Sequence, residues 1–389
     1  MKILLTSDWH LGKYLYKEKL LNKQAEFFQK EFFPLLKDLK PDLLIVAGDI
    51  LDRPIPDQDT LYFYADLLKE LSSYDIPSFF ILGNHDSKRT ALHRYFLEKA
   101  KIYLIDHLEY FFSPFLVKDQ RGNTLNLYFL PYLPLYELFE KAKEDPLFAV
   151  PERISYVTVV KNLLERRQIK SPSLFISHFA LEQFHFCGEE VTIKGFSEEY
   201  ILPVTLLYHF DLIFLGHLHR PQKAKEKFFY PGAPLPYSFE ASTEKRGVLF
   251  FEWKENSLVK SEFLELTPPY ELLYLKGSFE EIMEYPKSES YTKILLYDEK
   301  PIFNVYERIK TKFPNLLSLE YVTAFSSLCK NLEEIDFTTE SIKVDERELF
   351  RDFYQFVEKK EIEPKLWEVF LKNLDEFYQL ERKEGRIWP

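Results

Sequence analysis

A layered α/β fold is predicted for this chain, on three observations. Up to about residue 265, apolar strands alternate with amphipathic helices, the pattern of a sheet covered by helices. Between residues 229 and 252 the pattern turns to β-strand, with turns at Pro231-Gly232-Ala233-Pro234. After the linker Thr267-Pro268-Pro269, whose prolines remove backbone donors and stiffen the chain, a second and smaller α/β pattern begins.

The first pattern rests on five short apolar runs, at residues 3–5, 43–47, 79–82, 174–177 and 212–215, that read as buried strands. The stretch 23–39 carries Phe27, Phe28, Phe32 and Leu35 at helical spacing, and 59–72 and 88–101 repeat it. In the small module, strands are expected at 270–275, 293–297 and 316–322, with helices at 278–284 and 303–312. In the tail, Phe350, Phe353, Tyr354 and Val357 lie on one helical stripe. Trp367, Phe370, Leu371, Leu374, Phe377 and Tyr378 lie on another, with Pro364 suited to its first turn. Two such stripes bury their faces against the protein itself or against a partner helix. The chain therefore divides into 1–266, 267–325 and a helical tail, 342–389.

With 389 residues there is ample chain for two or three domains, at roughly 150 residues each. The net charge is -11 and aromatic residues make up 17% of the chain. This balance argues against a stand-alone nucleic-acid-binding module, and the aromatics read as core. It does not exclude DNA, because bound divalent cations bring their own positive charge. Cys187 and Cys329 have no paired spacing and read as reduced thiols of an intracellular protein. The apolar run at 3–5 meets Asp8 too soon for a signal sequence, and no run approaches the roughly 18 residues of a membrane span. A cytoplasmic protein without a membrane partner is expected.

The chemistry sits directly after the five strands: Asp8-Trp9-His10, Gly48-Asp49, Gly83-Asn84-His85-Asp86, His178, and Gly216-His217-Leu218-His219. Strands ending this way present their next residues along one edge of a sheet. Asp8 and His10 stand two apart, so in extended chain they point to one side and chelate one ion. Asp49 is placed to bridge two metals, Asn84 offers an amide oxygen, and His178 adds an imidazole. His217 and His219 repeat the two-residue spacing and serve one metal each. Only Asp8 and Asp49 of these seven are anionic, so two divalent ions leave a net charge of about +2, which favours a phosphate diester. Mixed oxygen and imidazole donors without thiolate suit Mn²⁺ or Fe²⁺; Mg²⁺ prefers oxygen and water. Two such ions activate water and clamp the attacking and leaving oxygens. His85 is then left to contact the scissile phosphate and protonate the leaving oxygen. Asp52 and Asp86 are expected to orient ligands without binding metal.

Each motif alone has an ordinary explanation; a Gly-Asp after a strand is commonly a turn. Their order, all after strands, is what points to a metal site. His93, His107, His185 and His209 read as structural.

These motifs resemble the calcineurin-like metallophosphoesterase signature. The runs 10–13, 83–88, 216–222 and 230–234, with Ser238-Phe239 and 312–317, are similar to the SbcD family. These are the nuclease subunits of bacterial SbcC–SbcD complexes, akin to the double-strand-break repair nucleases of archaea and eukaryotes. The resemblance implies a two-layer β-sandwich flanked by helices, with a small α/β capping domain that helps place DNA. It implies Mn²⁺-dependent cleavage, with Fe²⁺ or Mg²⁺ as substitutes: exonuclease action on duplex ends and endonuclease action on single strands and hairpins. The setting implied is DNA repair, recombination and replication. Carried over by position, Asp8, His10, Asp49 and His219 hold one metal, Asp49, Asn84, His178 and His217 the other, and His85 is catalytic. A homodimer through helices near 59–72 and 88–101 is implied, as is a grip of the tail helices on an SbcC-type ATPase. Relatives often carry a second histidine three residues after the bridging Asp; here Asp52 stands there. The region 184–197 matches only loosely, and DNA contacts are reduced to Lys13, Lys17 and Arg89. Two alternatives are a phosphodiesterase for small nucleotides, which has no evident need of the small module and tail, and a non-catalytic scaffold, which has no need of a full ligand set.

Overall fold

The computed structural model describes residues 1–88, 91, 94–165, 167–186, 201–298, 302–322, 347, 350, 351, 354 and 360–384. Arg89, His93, Cys187 and Cys329 lie outside these residues, as does most of 184–197. The chain divides into a body, 1–323, and a tail unit, 324–389.

The body is built on two six-stranded sheets. The strands in chain order are β1 (Lys2–Thr6), the hairpin β2 (Tyr14–Leu15) and β3 (Glu18–Lys19), β4 (Leu43–Ala47), β5 (Ser78–Ile81) and β6 (Ile102–Ile105). There follow β7 (Phe115–Lys118), β8 (Thr124–Leu130), β9 (Ser173–His178), β10 (Leu212–Gly216), β11 (Gln222–Ala224), β12 (Phe228–Tyr230), β13 (Gly247–Lys254) and β14 (Ser257–Glu265). One sheet runs β14-β13-β1-β4-β5-β6, the other β11-β12-β10-β9-β8-β7. Alternate residues of each strand face different cores. Ile3, Leu5, Ile45 and Phe79 meet Phe129, Ile176, Leu212 and Phe214 between the sheets. Leu4, Leu44, Val46 and Phe80 face outward onto Phe28, Phe32 and Leu67 of the covering helices. Tyr128, Phe175 and Ile213 do the same for the second sheet, under the helix Tyr156–Glu165. Burial on both faces is why these strands read as unbroken apolar runs. The expected two-layer sandwich flanked by helices is thus the observed fold.

Three expectations are corrected. The helix expected at 23–39 runs from Leu21 to Leu39 but widens into a π turn at Phe28–Phe32. There the Phe33 N–H reaches back to the Phe28 carbonyl, just before Pro34, which has no N–H for the α pattern. The helix expected at 88–101 is, among the described residues, only Arg94–Leu97 with a 3₁₀ turn at Glu98–Ala100. The chain before it is tied elsewhere: Ser87 Oγ donates to the Pro54 carbonyl, and Asp86 accepts from three backbone N–H groups. The strand pattern at 229–252 is two strands, β12 and β13, separated by a loop containing Pro231, Pro234 and Pro236, which have no N–H for a ladder.

The small module has its own parallel sheet, β15 (Leu272–Gly277), β16 (Tyr291–Leu296) and β17 (Leu316–Tyr321), and its own core around Ile282, Ile294, Ile309 and Phe313. Its helix Phe279–Glu284 starts with a Ser278/Glu281 capping box. Tyr274 and Tyr291 also pack on the first sheet's outer core. Lys293 marks the joint. Its ammonium lies 3.5 Å from Glu240 and 3.4 Å from Glu320, over the rings of Tyr274 and Tyr16. Burial opposes its charge, but Tyr16 and the two glutamates outweigh burial and raise its pKa.

In the tail unit a helix runs Pro364–Glu384, with Pro364 at its first residue. The two expected stripes meet: Phe350 stacks on Phe370 at 3.9 Å and on Trp367 at 6.2 Å. Phe353, Val357 and the side chains of Phe377 and Tyr378 lie outside the described residues.

Trp9 packs edge-on against Phe28, Phe32 and Phe80, so this aromatic cluster anchors the first motif in the core. Phe32→Ala is expected to cost on the order of 3–5 kcal/mol of stability, read as a lower urea unfolding midpoint at unchanged slope.

Candidate metal centre

The sequence places the motifs along one sheet edge; the structure instead brings together the ends of both sheets. β1, β4 and β5 are parallel neighbours, so residues 8, 49 and 84 emerge side by side. The loops after β1 and β4 are tied by backbone bonds from Asp8 N to Gly48 O and from His10 N to Asp49 O. β9 and β10 run parallel in the facing sheet, with His178 level with Gly216. The sheets close on each other at this end. The His178 ring Nδ1 lies 2.7 Å from the Ala47 carbonyl of β4. A Cβ on Gly216 would sit 1.8 Å from that carbonyl, and one on Gly48 would sit 2.1 Å from His178 Nδ1. Both positions therefore require glycine.

Four of the seven candidate ligands, Asp8, His10, Asp49 and His217, have left-handed backbone, with φ of 53°, 42°, 50° and 87°. Such conformations are uncommon outside glycine and gather at functional sites. Here they turn consecutive side chains into one buried space.

Donor atoms of Asp8, His10 and His219 lie within 4.8 Å of one another, as do those of Asp8, Asp49 and His178. Asn84 Oδ1 lies 3.0 Å from both His178 Nε2 and His217 Nδ1. All seven expected ligands thus converge. A carbonyl only accepts, so His178 carries its proton on Nδ1 towards Ala47 and turns Nε2 to the site. Burial raises the Asp8 pKa, with His178 and His219 pulling the other way. Burial also works against ionisation of Asp49, but the His178 and His85 rings outweigh it and hold that carboxyl well below its usual range. His178 responds in kind: burial opposes its charge, yet Asp49 pushes it up to about 9. Burial takes His10 down to about 3, and burial with the His178 charge does the same to His217. Both rings are therefore neutral and offer lone pairs.

Asp86 and Asp52 lie beside the converging donors, and Asp52 also groups with His10 and His85 within 4.8 Å. The Asp86 carboxylate accepts from the N–H groups of Ile50 (3.1 Å), Leu51 (2.9 Å) and Gly83 (2.9 Å), joining two ligand loops. Burial and then the Asp49 charge raise its pKa to about 7. Asp52 stands 3.4 Å from His10 Nδ1 and 2.9 Å from Lys13. Burial opposes its ionisation, but the His10 ring and the Lys13 ammonium beside it outweigh this and lower its pKa. Lys13 is thus engaged beside the site, Lys17 is exposed on the β2–β3 hairpin, and Arg89 lies outside the described residues. His107 pairs with Asp106 and Glu109, His185 bonds Gln222 through its backbone, and the His209 ring packs tilted against Phe210.

Three contributors were not read from the sequence. Gln24 and Tyr237 bond the backbone of the first motif, and Arg246 lies against the carbonyls of His219, Ala233 and Ala241. Tyr237 stands just before Ser238-Phe239, which carry part of the family resemblance, but is not itself among those residues; Gln24 and Arg246 give no local signal.

The donor set fits a pair of divalent cations. Nε2 of His10 and Nε2 of His219 face each other at 3.1 Å, an arrangement two neutral rings settle only with a proton on one or a cation that both ligate. Two carboxylates, four imidazoles and one amide oxygen match first-row divalent ions.

The sequence profile of the calcineurin-like phosphoesterases matches residues 1–221, and the chain belongs to that family. Within it, the chain is similar along nearly its whole length to proteins named as the SbcD component of the nuclease SbcCD. That of Staphylococcus saprophyticus is 27% identical over 368 residues, 92% of this chain and 93% of that one. That of Staphylococcus epidermidis is 24% identical over 363 residues, 91% of this chain and 93% of that one. A solved structure from Thermus thermophilus overlaps 67% of this chain and 98% of its own at 13% identity, with a low TM-score of 0.38.

Gly48→Ala is expected to push the His178 ring off the site. Mn²⁺ affinity measured by titration calorimetry then falls by about tenfold or more, while the far-UV circular dichroism stays that of the wild type.

Proposed function

We propose that this protein is the nuclease subunit of an SbcC–SbcD type complex, hydrolysing DNA phosphodiester bonds with two Mn²⁺ ions. The observation that carries the reading is the convergence of Asp8, His10, Asp49, Asn84, His178, His217 and His219 from both sheets, with His85 at their exposed rim. The likeness to two SbcCD nuclease subunits over nine-tenths of the chain supports it. Asp8, His10, Asp49 and His219 would hold one ion, and Asp49, Asn84, His178 and His217 the other, with Fe²⁺ or Mg²⁺ as substitutes. Bound there, the ions supply Lewis acidity and an activated water.

The protein's own part is to hold His85. Its backbone N–H donates to Asp49 Oδ1 at 2.9 Å, and its ring Nδ1 lies 2.9 Å from the Asp52 carbonyl. Nδ1 therefore carries a proton, and Nε2, 4.0 Å from Asp49, is the atom that gives or takes one. The His85 side chain is 23% exposed, against 2% for Asp49, so it reaches an incoming phosphate while the ligands stay buried. In this role Nε2 protonates the leaving 3′ or 5′ oxygen.

The activities proposed are exonuclease on duplex ends and endonuclease on single strands and hairpins. Residues 267–325 act as the capping domain and 342–389 as the grip on an SbcC-type ATPase. The nuclease pairs with a second copy through the helix Gln58–Ser72 and the segment 88–101, where Leu61, Tyr62, Tyr95 and Phe96 are exposed.

His85→Gln is expected to bind Mn²⁺ as the wild type does but to cleave end-labelled duplex and hairpin DNA about 10²–10⁴-fold more slowly. Full activity in this variant would remove His85 from the mechanism, and faster turnover of small nucleotide diesters than of DNA by the wild type would replace the DNA reading. Deleting residues after about 342 is expected to spare intrinsic cleavage and abolish co-elution with the ATPase in size-exclusion chromatography; an intact complex would refute the tail assignment.

A further inference from the structure

We infer that Gln24 and Tyr237 are positioning residues for one half of the metal centre, holding the backbone of the Asp8–His10 arm, so that their loss weakens one metal position and spares the other. The inference rests on the two-metal reading of the site.

The arm needs an external support. Asp8, His10 and Gly12 have φ of 53°, 42° and 84°, so left-handed residues alternate with others over five positions. Such a path leaves the Trp9 carbonyl, the His10 carbonyl and the Gly12 N–H turned away from the ladder of β1, in a place where water does not reach. Gln24 meets all three. Its Oε1 accepts from Gly12 N at 2.9 Å, and its Nε2 donates to His10 O at 2.8 Å and to Trp9 O at 3.2 Å. Its side chain is fully buried, in the first turns of the helix Leu21–Leu39, where the other inward residues, Leu21 and Phe27, are apolar. An amide among such neighbours is stable only because every polar atom is used on the arm.

Tyr237 completes the clamp, sharing the Trp9 carbonyl with Gln24. Its hydroxyl donates to Trp9 O at 2.5 Å and accepts from Gln24 Nε2 at 3.4 Å. Its ring lies edge-on to His10 at 5.5 Å and to His219 at 6.0 Å. These are two of the three donors of the Asp8–His10–His219 group. Asn84 and His178 are held by other means, through the Asp86 bridge and the Ala47 carbonyl, while His217 meets the arm through its backbone N–H, which donates to Asp8 Oδ1 at 3.1 Å. Selectivity between the two metal positions follows from this division.

The test is Mn²⁺ binding to the full chain, by calorimetry and by electron paramagnetic resonance, for wild type, Gln24→Leu and Tyr237→Phe. The wild type is expected to take up two ions with a spin-coupled spectrum. Gln24→Leu is expected to keep one tight ion with the six-line spectrum of isolated Mn²⁺, the second binding about tenfold or more weaker. Tyr237→Phe, which keeps the ring and loses the hydroxyl, is expected to weaken the same step to a smaller extent and decides the matter should Gln24→Leu not fold. A wild type that binds fewer than two ions sinks the two-metal reading and this inference with it. A two-ion wild type with both variants unchanged, or with both steps weakened equally in a folded variant, overturns this inference alone.

Discussion

The site depends on one close approach, the hydrogen bond from the His178 ring to the Ala47 carbonyl across the two sheets. It joins the ends of β9 and β4 and requires bare backbone at Gly48 and Gly216. Elsewhere the sheets are kept apart by a layer of side chains such as Phe129, Phe214 and Phe251. At this end the layer gives way to carboxylates and imidazoles. The sandwich is thus apolar along its length and polar at one mouth, and five strands deliver their following residues into that mouth.

Packing so many titratable groups out of water is costly unless they neutralise one another or a cation. The arrangement splits them. Asp49 and His178 form a charged pair, while His10 and His217 are pushed to neutrality by burial. Asp86 and Asp52 have different work. One gathers backbone N–H groups of two loops, and the other holds His10 and Lys13. The left-handed backbone of four ligands is held by separate bonds, from Asp86 just after Asp49, from Gln24 and Tyr237 at the Asp8–His10 loop and from Asp8 at His217, in keeping with strain being concentrated where a structure over-determines it.

The loop between β12 and β13 links this centre to the small module. Tyr237 touches the His10 and His219 rings, Phe239 packs near Tyr16 and Tyr274, and Glu240 meets Lys293. A single stretch of chain therefore contacts both the imidazoles and the joint of the second sheet. The prolines that keep this stretch out of the sheet leave it available for both contacts.

The five strands that precede the motifs, their alternation with helices and the identity of the seven converging donors were legible in the sequence, because burial on both faces writes apolar runs and the chemistry follows them directly. The reach of the helix at 88–101 was not legible, since Asp86 and Ser87 tie the preceding chain to residues 50–54, which are distant in sequence. Nor was the origin of the donors in two sheets: local pattern marks where a strand ends but not which sheet it joins. Gln24 and Arg246 were silent for the same reason. Their partners are backbone atoms brought to them by folding, and a backbone atom has no letter in the sequence. The amino-acid order by itself determined which groups the site contains; the tertiary structure decided that two sheets converge at Ala47, which carbonyls fix the rings of His178 and His85, and which buried amide holds the first loop in its left-handed path.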